Sequence, residues 1–231
     1  MTATTTPETR RVAQGGPHLG VLAVVCTVLF LAGLIISTAL AGRTQLPPTA
    51  PADDILRYFA TNHTAVRVGA FFGFGCAVPM VIYAATASAR LHNLGVRAPG
   101  ATIALAGGVL AAGLQAVHGL IAWVLSQPAV TGDPAVVRAL NDLDFAVGGP
   151  GHVVFLGLLI AGMAVPALLV GLLPRWLAWA GLVLAAVAEL STFALLIDGA
   201  GVLLPVGRFL GYAWLITAGF LLPRARRSAN R

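Results

Sequence analysis

Six long apolar stretches, separated by shorter polar segments, make up most of this chain. They cover residues 19–41, 65–88, 101–126, 150–173, 176–197 and 202–222. Each has the roughly 20 residues that an α-helix needs to cross the hydrocarbon core of a bilayer. The strands of a membrane barrel would be shorter and would alternate apolar with polar residues. The pattern therefore predicts an all-α fold, a six-transmembrane-helix bundle that forms a single membrane domain over residues 19–222.

Two of the polar connections have the pattern of a short amphipathic helix. In the first, Asp53 or Asp54 can cap a helix, and in the second Asp133 is the cap with Pro134 at the first helical position. A Gly-Gly-Pro-Gly cluster at residues 148–151 follows the second segment. Such a cluster breaks a helix, and we interpret it as the separate start of the fourth span.

The arginines predict an orientation for the bundle. All 14 basic residues are arginine; nine lie on the side of the termini, and the other five share the opposite side with six aspartates. The positive-inside rule then places both termini in the cytoplasm and the two short helices on the extracytoplasmic side of a cytoplasmic (inner) membrane. We expect residues 1–18 to be a disordered tail and residues 223–231 a basic tail. Because the first apolar stretch exceeds the 7–15 residues of a signal peptide's apolar region, a retained helix is expected.

Composition excludes several classes of protein. The chain is 58% hydrophobic and only 10% charged, whereas a soluble domain is about a quarter charged. Its arginines are dispersed over the ends of loops, so no nucleic-acid partner is expected, and no motif for a cofactor is present. The sequence also contains two motifs for close helix packing. They are Gly69-x-x-x-Gly73 and Gly207-x-x-x-Gly211, which allow such packing within the bundle or in a homo-oligomer.

Polar residues inside the apolar stretches are the candidates for a functional site, since such groups are costly in hydrocarbon. Gln115 and His118 share one face of span three, Glu189 lies in span five, and Arg208 and Tyr212 lie in span six. At 1.5 Å per residue, His118 and Glu189 lie roughly 12–13 Å below the outer surface, and Arg208 roughly 8–9 Å below it. Counting along the spans therefore predicts one polar pocket in the outer leaflet.

Several roles fit these residues. The structural one is a buried Glu189–Arg208 ion pair that sets the register of two helices. Our leading interpretation is a pocket for a lipid-like or small polar or anionic ligand held by Arg208. An intramembrane enzyme with His118 and Glu189 as acid and base is the alternative, and a secondary transporter is the third. His118, His152 and Glu189 are weak metal ligands because no tight spacing links them, so no metal is expected.

The run LPRWLAWAGL at residues 173–182 resembles a segment of many small bacterial, especially actinobacterial, multi-pass membrane proteins. These families are catalogued only as domains of unknown function. Residues 53–91 are similar to them as well, so the resemblance covers about half of the chain. It implies the fold and the membrane location and carries no activity. In physical terms, Pro174 starts a helix while Arg175, Trp176 and Trp179 anchor it at the membrane interface.

Overall fold

The computed structural model describes residues 16–224, apart from the side chain of Asp198. Within this range the chain is helical and contains no strands. The α-helices are α1 (Leu19–Ala41), α2 (Ala52–Thr61), α3 (His63–Asn93), α4 (Gly100–Leu125), α5 (Pro134–Ala146), α6 (His152–Val170), α7 (Arg175–Leu190) and α8 (Leu203–Leu221). A π-helical turn (Val147–Gly151) joins α5 to α6, and 3₁₀ segments (Ser191–Leu195 and Asp198–Val202) lie between α7 and α8. The two predicted tails lie largely outside the described residues.

Six helical segments in this range are long and apolar enough to cross a membrane. They are Leu19–Ala41, His63–Asn93, Gly100–Leu125, Pro134–Val170, Arg175–Leu195 and Gly199–Leu221. The prediction of an all-helical bundle with six long apolar helices is confirmed. The second segment is longer than the predicted 65–88, because its helix continues into a polar last turn with Arg90 and His92. Basic side chains in that position interact favourably with the negative end of the helix dipole.

The six long segments pack in chain order around a ring. α1 packs on α3, α3 on α4, α4 on α6, α6 on α7 and α7 on α8, and α8 closes the ring against α1. Both ends of the described chain therefore lie at the same end of the bundle, where Arg90 donates a hydrogen bond to the carbonyl of Pro17 at 3.3 Å. We call this the termini end and the opposite one the loop end.

Glycines allow the helices of the ring to approach closely. A Cβ on Gly162 of α6 would lie 2.4 Å from the backbone nitrogen of Ala104 in α4. At the termini end, a Cβ on Gly219 of α8 would lie 2.7 Å from the backbone nitrogen of Gly20 in α1. These contacts leave no room for a methyl group, so they set the spacing of the α4–α6 and α1–α8 pairs.

The predicted Gly-x-x-x-Gly motifs face helices of the same chain. Gly69 lies against α1 and Gly73 against α4, whereas Gly207 and Gly211 lie against α6. Both motifs are thus occupied inside the bundle. A homo-oligomer through these faces stays a prediction.

The two short helices start differently from one another. The carboxylate of Asp133 accepts the backbone N–H of Ala135 at 2.9 Å and so caps α5 as expected. In α2, by contrast, Pro51 is the capping residue, and Asp53 and Asp54 lie in the first turn. The expectation that one of these aspartates caps α2 is wrong, and both instead face the positive end of the helix dipole.

The Gly-Gly-Pro-Gly cluster does not break the chain into two helices, contrary to our interpretation. α5, the π turn and α6 form one helical segment of 37 residues, Pro134–Val170. Pro150 has no N–H, so the regular α-helical bond to the residue four positions before it cannot form. The π turn accommodates this loss, and the N–H of His152 bonds to the carbonyl of Val147, five positions back. The second short helix is therefore the loop-end part of this 37-residue segment.

Candidate functional site

A close contact between α4 and α5 forms the centre of the candidate site. Nδ1 of His118 lies 2.7 Å from Oδ1 of Asp144. This is an ion-pair distance, although the alignment departs from that of a regular hydrogen bond. The other carboxylate oxygen of Asp144 accepts a hydrogen bond from Nε2 of Gln45 at 2.9 Å. Asp144 is 1% exposed, so its charge is held in place by these two partners.

Neither Asp144 nor Gln45 was among the residues predicted for the site. The signal for Asp144 is the spacing of the buried face of α5, on which Val137, Asn141 and Asp144 recur three and four positions apart. Gly148 continues this face four residues later, in the π turn. Because we interpreted the glycine cluster as a helix break, we did not extend the buried face of α5 into span four.

Gly148 lets His118 approach the π turn. A Cβ at this position would lie 2.5 Å from Nδ1 of His118 and 2.6 Å from its Cγ. Real side chains do not come so close, so only glycine permits the observed place of the imidazole. Gly148 therefore helps to hold His118 beside Asp144.

Arg208 of α8 contacts the same turn from the other side. Its Nη2 donates a hydrogen bond to the carbonyl oxygen of Gly148. Its guanidinium carbon lies 5.3 Å from the centre of the Phe30 ring of α1, within range of a cation–π interaction. Its Nε is buried and has no hydrogen-bond partner among the described side chains, and no described carboxylate, a set that leaves out Asp198, lies within ion-pair distance of Arg208. Asp144 is close enough for its charge to act on the cation, but the two side chains form no ion pair.

Tyr212 and His152 form a buried pair one turn deeper than Arg208. The two hydrogen-bonding atoms, the hydroxyl oxygen of Tyr212 and Nε2 of His152, are 3.0 Å apart. Nδ1 of His152 donates to the carbonyl of Ala111 at 2.9 Å, so in the neutral ring Nε2 accepts the tyrosine proton. Both side chains are almost completely buried, and both ring nitrogens are occupied. This pair supports the wall of the site.

Gln115 brings an acceptor to the site. Its Nε2 donates to the carbonyl of Gly73 at 3.4 Å. Its Oε1 is buried without a hydrogen-bond partner in the described part of the chain. A ligand with a hydroxyl or amide group would satisfy this oxygen.

Glu189 does not join the other predicted site residues. It lies on the exposed face of α7 with Val183 and Ala186, whereas Ala185 and Ala188 lie on the packed face. The expected Glu189–Arg208 ion pair is absent from the ion pairs of residues 16–224. The physical reason is the helical turn of about 100° per residue, which carries Glu189 away from the neighbours of Ala188.

The three weak metal candidates do not converge either. Glu189 lies on the outer face of α7, and His152 uses both ring nitrogens for hydrogen bonds. Within residues 16–224, no group of three His, Cys, Asp or Glu side chains could hold a metal ion.

Two neighbouring cavities, of about 430 and 160 Å³, meet at this cluster. The residues that line both are Phe30, Leu34, Gln45, His118 and Arg208. The larger cavity is lined by side chains from α1, from α5 and the π turn, and from α8. At its rim, Leu34 is 39% exposed and Phe209 is 40% exposed. The cavity therefore has polar groups at its inner wall and apolar, half-exposed side chains at its mouth.

Tyr58 of α2 lines the smaller cavity. Burial raises the pKa of its phenol, and the positive charge of Arg43 opposes part of that rise. The hydroxyl is therefore protonated at neutral pH and adds a further hydrogen-bonding group to the cavity.

The arrangement can bind a polar or anionic group at Arg208, and the His118–Asp144 contact can hold or accept a proton. Comparison with known proteins adds no further guide to the function. No protein-family model, curated protein or solved structure matches the chain.

Proposed function

We propose that this protein is an integral protein of the bacterial cytoplasmic membrane that binds an anionic amphiphile at the loop end of its bundle. The ligand is a lipid or a fatty-acid-like molecule whose carboxylate or phosphate group contacts Arg208. The observation that carries this proposal is the state of Arg208, a partly buried cation with an unpartnered Nε beside an open cavity. Burying such a charge without an ion-pair partner is costly, and an anionic headgroup would offset that cost.

The charges near Arg208 are consistent with an anionic ligand. Asp144 would repel an anion, but its two oxygens already contact His118 and Gln45. The direct contacts of Arg208 are a neutral hydrogen bond and an aromatic contact, and the charge of Asp144 acts on it without an ion pair. An anion in the cavity at the guanidinium of Arg208 would therefore form a charge-assisted hydrogen bond, roughly twice as strong as a neutral one.

The remaining wall of the larger cavity suits a hydrocarbon chain. Leu46, Phe145 and Leu204 line it, and the rim residues Leu34 and Phe209 face outward between α1 and α8. A ligand with its headgroup at Arg208 could extend its chain through this gap into surrounding lipid. The arginine bias of the sequence supports placing this end of the bundle in the outer leaflet.

Native mass spectrometry of the full chain released from detergent tests the proposal. We expect a co-purified anionic amphiphile on the native protein and its loss from Arg208→Gln. Arg57→Gln is the control, because Arg57 is an exposed arginine at the same end, paired with Asp54. If Arg208→Gln does not fold, Leu34→Trp fills the mouth of the cavity instead. Its control is Ile35→Trp, since Ile35 is 62% exposed and does not line the cavity. The proposal is contradicted if a variant at the cavity retains as much of the amphiphile as its control variant does.

An enzymatic role is the second candidate, and the His118–Asp144 contact favours it. A carboxylate at Nδ1 orients a histidine so that Nε2 can accept a proton from a hydroxyl or from water. We had expected Glu189 to act with His118 as acid or base, whereas the carboxylate beside His118 is that of Asp144. Incubation of the protein with a bacterial lipid extract, followed by lipid mass spectrometry, tests this role. A product that forms with time and disappears in His118→Gln would support it, and an unchanged lipid composition would exclude it for these lipids.

A further inference from the structure

A second cavity, far from Arg208, lies at the termini end of the bundle. Its volume is about 580 Å³, and its polar lining consists of His18, Thr86, Arg90, Asn93 and Arg224. Among residues 16–224, neither aspartate nor glutamate lines it. We propose that this cavity binds a phosphate-bearing anion, either the headgroup of an anionic lipid or a free phosphate.

Two positive charges converge on the cavity, and no carboxylate from the described part of the chain lines it. Arg90 is 8% exposed, and the charge of Arg224 is close enough to oppose its own. Within residues 16–224, neither arginine is in an ion pair. An anion between the two arginines would be attracted by both and would offset their mutual repulsion. A group with at least one full negative charge should therefore bind this cavity most strongly.

The other polar groups in the lining are hydrogen-bond donors. Arg90 uses one nitrogen to bond the carbonyl of Pro17 at 3.3 Å, which leaves further N–H groups on a guanidinium with five. Nδ1 of His18 accepts the N–H of Gly20 at 3.1 Å, so the proton of the neutral ring is on Nε2. Asn93 and Thr86 each add a donor. A phosphate, with several acceptor oxygens, matches this set better than a cation or a neutral apolar group does.

One feature of the fold opposes an anion at this place. The C-terminus of α3 lies beside the cavity, and a helix C-terminus carries about half a negative charge. The two arginines together carry two positive charges, so the local balance stays positive. The first turn of α1, which starts at Leu19 next to His18, adds the positive end of another helix.

Beside the same cavity, the residues that precede α1 pack against the end of α3. Thr86 and Arg90 are four positions apart and therefore share a face of α3. Gly16 packs on Thr86, and Pro17 is bonded to Arg90. An anion bound here would contact groups from α3, from the start of α1 and from Arg224 after α8. It would thus stabilise the folded chain as well as occupy the cavity.

The test uses the full chain and two variants of equal charge. Arg224→Gln removes a cation from the cavity, whereas Arg97→Gln removes an exposed cation at the same end that does not line it. The first probe is phosphatidylglycerol in phosphatidylcholine nanodiscs, with retained lipid counted by native mass spectrometry. The second probe is sodium phosphate in detergent at constant ionic strength, with the unfolding temperature as readout.

We expect one of these probes to bind, and Arg224→Gln to weaken that binding about tenfold, as the loss of one charged hydrogen bond would. Arg97→Gln should bind like the native protein. Binding of phosphatidylglycerol alone identifies a lipid headgroup, and stabilisation by phosphate in detergent identifies a free anion. The proposal is overturned if neither probe binds, or if Arg97→Gln weakens binding as much as Arg224→Gln, because the attraction is then a diffuse property of the surface. Arg90→Gln is a further variant, but Arg224→Gln decides the matter even if Arg90→Gln does not fold.

Discussion

Gly148 and His118 are in close contact in the loop-end site, where a Cβ on the glycine would lie 2.5 Å from Nδ1 of the imidazole. The same glycine offers its carbonyl oxygen to Arg208. One residue of the π turn therefore positions both the imidazole and the guanidinium of the site.

Gly148→Ala should displace His118 from Asp144. The added methyl group cannot fit, so we expect a loss of about 1–3 kcal/mol in the free energy of unfolding, as for other overpacked sites. Gly149→Ala is the control in the same turn, because its nearest neighbour is the end of the Leu204 side chain at 3.3 Å. Unfolding of both variants in detergent, followed by tryptophan fluorescence, measures the difference. Equal stability of the two variants would show that His118 can move at no cost.

His118 and Asp144 should be energetically coupled, whereas His118 and Glu189 should not. We expect the double-mutant cycle of His118→Gln and Asp144→Asn to give an interaction energy of about 1–3 kcal/mol. The cycle of His118→Gln and Glu189→Gln should be additive within about 0.5 kcal/mol, since Glu189 lies on the exposed face of α7. Coupling of similar size in both cycles would refute the placement of Glu189.

Tyr212→Phe should destabilise the protein by about 1–3 kcal/mol, because it leaves Nε2 of the buried His152 without its donor. Tyr58→Phe is the matched control. Tyr58 is also buried, but its hydroxyl has no hydrogen-bond partner within residues 16–224. Thermal unfolding in detergent compares the two variants, and a larger loss for Tyr58→Phe would contradict the assigned pair.

Two glycine-to-alanine substitutions should change the free energy of unfolding in opposite directions. Gly162→Ala puts a methyl group 2.4 Å from the backbone of Ala104, and we expect it to cost about 1–3 kcal/mol or more because backbone cannot yield. Gly113→Ala meets nothing within 4 Å, and its higher helix propensity should add up to about 1 kcal/mol. Denaturant titration of the two variants measures the sign of each change in the free energy of unfolding. A Gly162→Ala variant as stable as the native protein would mean that α4 and α6 can move apart at no cost.

The orientation of the bundle is open to cysteine labelling. The two native cysteines, Cys26 and Cys76, are buried and should react slowly. On intact cells, a membrane-impermeant maleimide should label Ala129→Cys at the loop end. Ala98→Cys, an exposed position at the termini end, should react only after the membrane is permeabilised. The reverse pattern would place the loop end in the cytoplasm.

Hydropathy alone predicted the six long helices, because the length and uniformity of the apolar runs leave few other ways to satisfy the backbone. Counting residues from the ends of the spans also predicted a similar depth for His118 and Arg208, which line the same cavities. Depth does not depend on the rotation of a helix about its axis, so it can be read from sequence.

Rotation could not be read in span five. Apolar residues surround Glu189 on every side of that helix, so the pattern did not indicate which face packs inward. Asp144 was missed for a different reason. We placed it in a short outer helix that ends before the glycine cluster, whereas the π turn carries the helix through that cluster and directs Asp144 to His118. Irregular helical geometry depends on tertiary contacts, such as the one between Gly148 and Arg208, that local sequence does not reveal.

The uninterrupted segment Pro134–Val170 links the loop-end site to packing deeper in the bundle. Its 37 residues correspond to a rod about 55 Å long, nearly twice the thickness of a hydrocarbon core. Asp144 and Gly148 lie on its loop-end part, and Gly162, which fixes the contact with α4, lies nearer the termini end. One helical segment therefore contacts a molecule bound at the loop end and also forms the packing contact between α4 and α6. A displacement of this segment by a ligand would act directly on that contact.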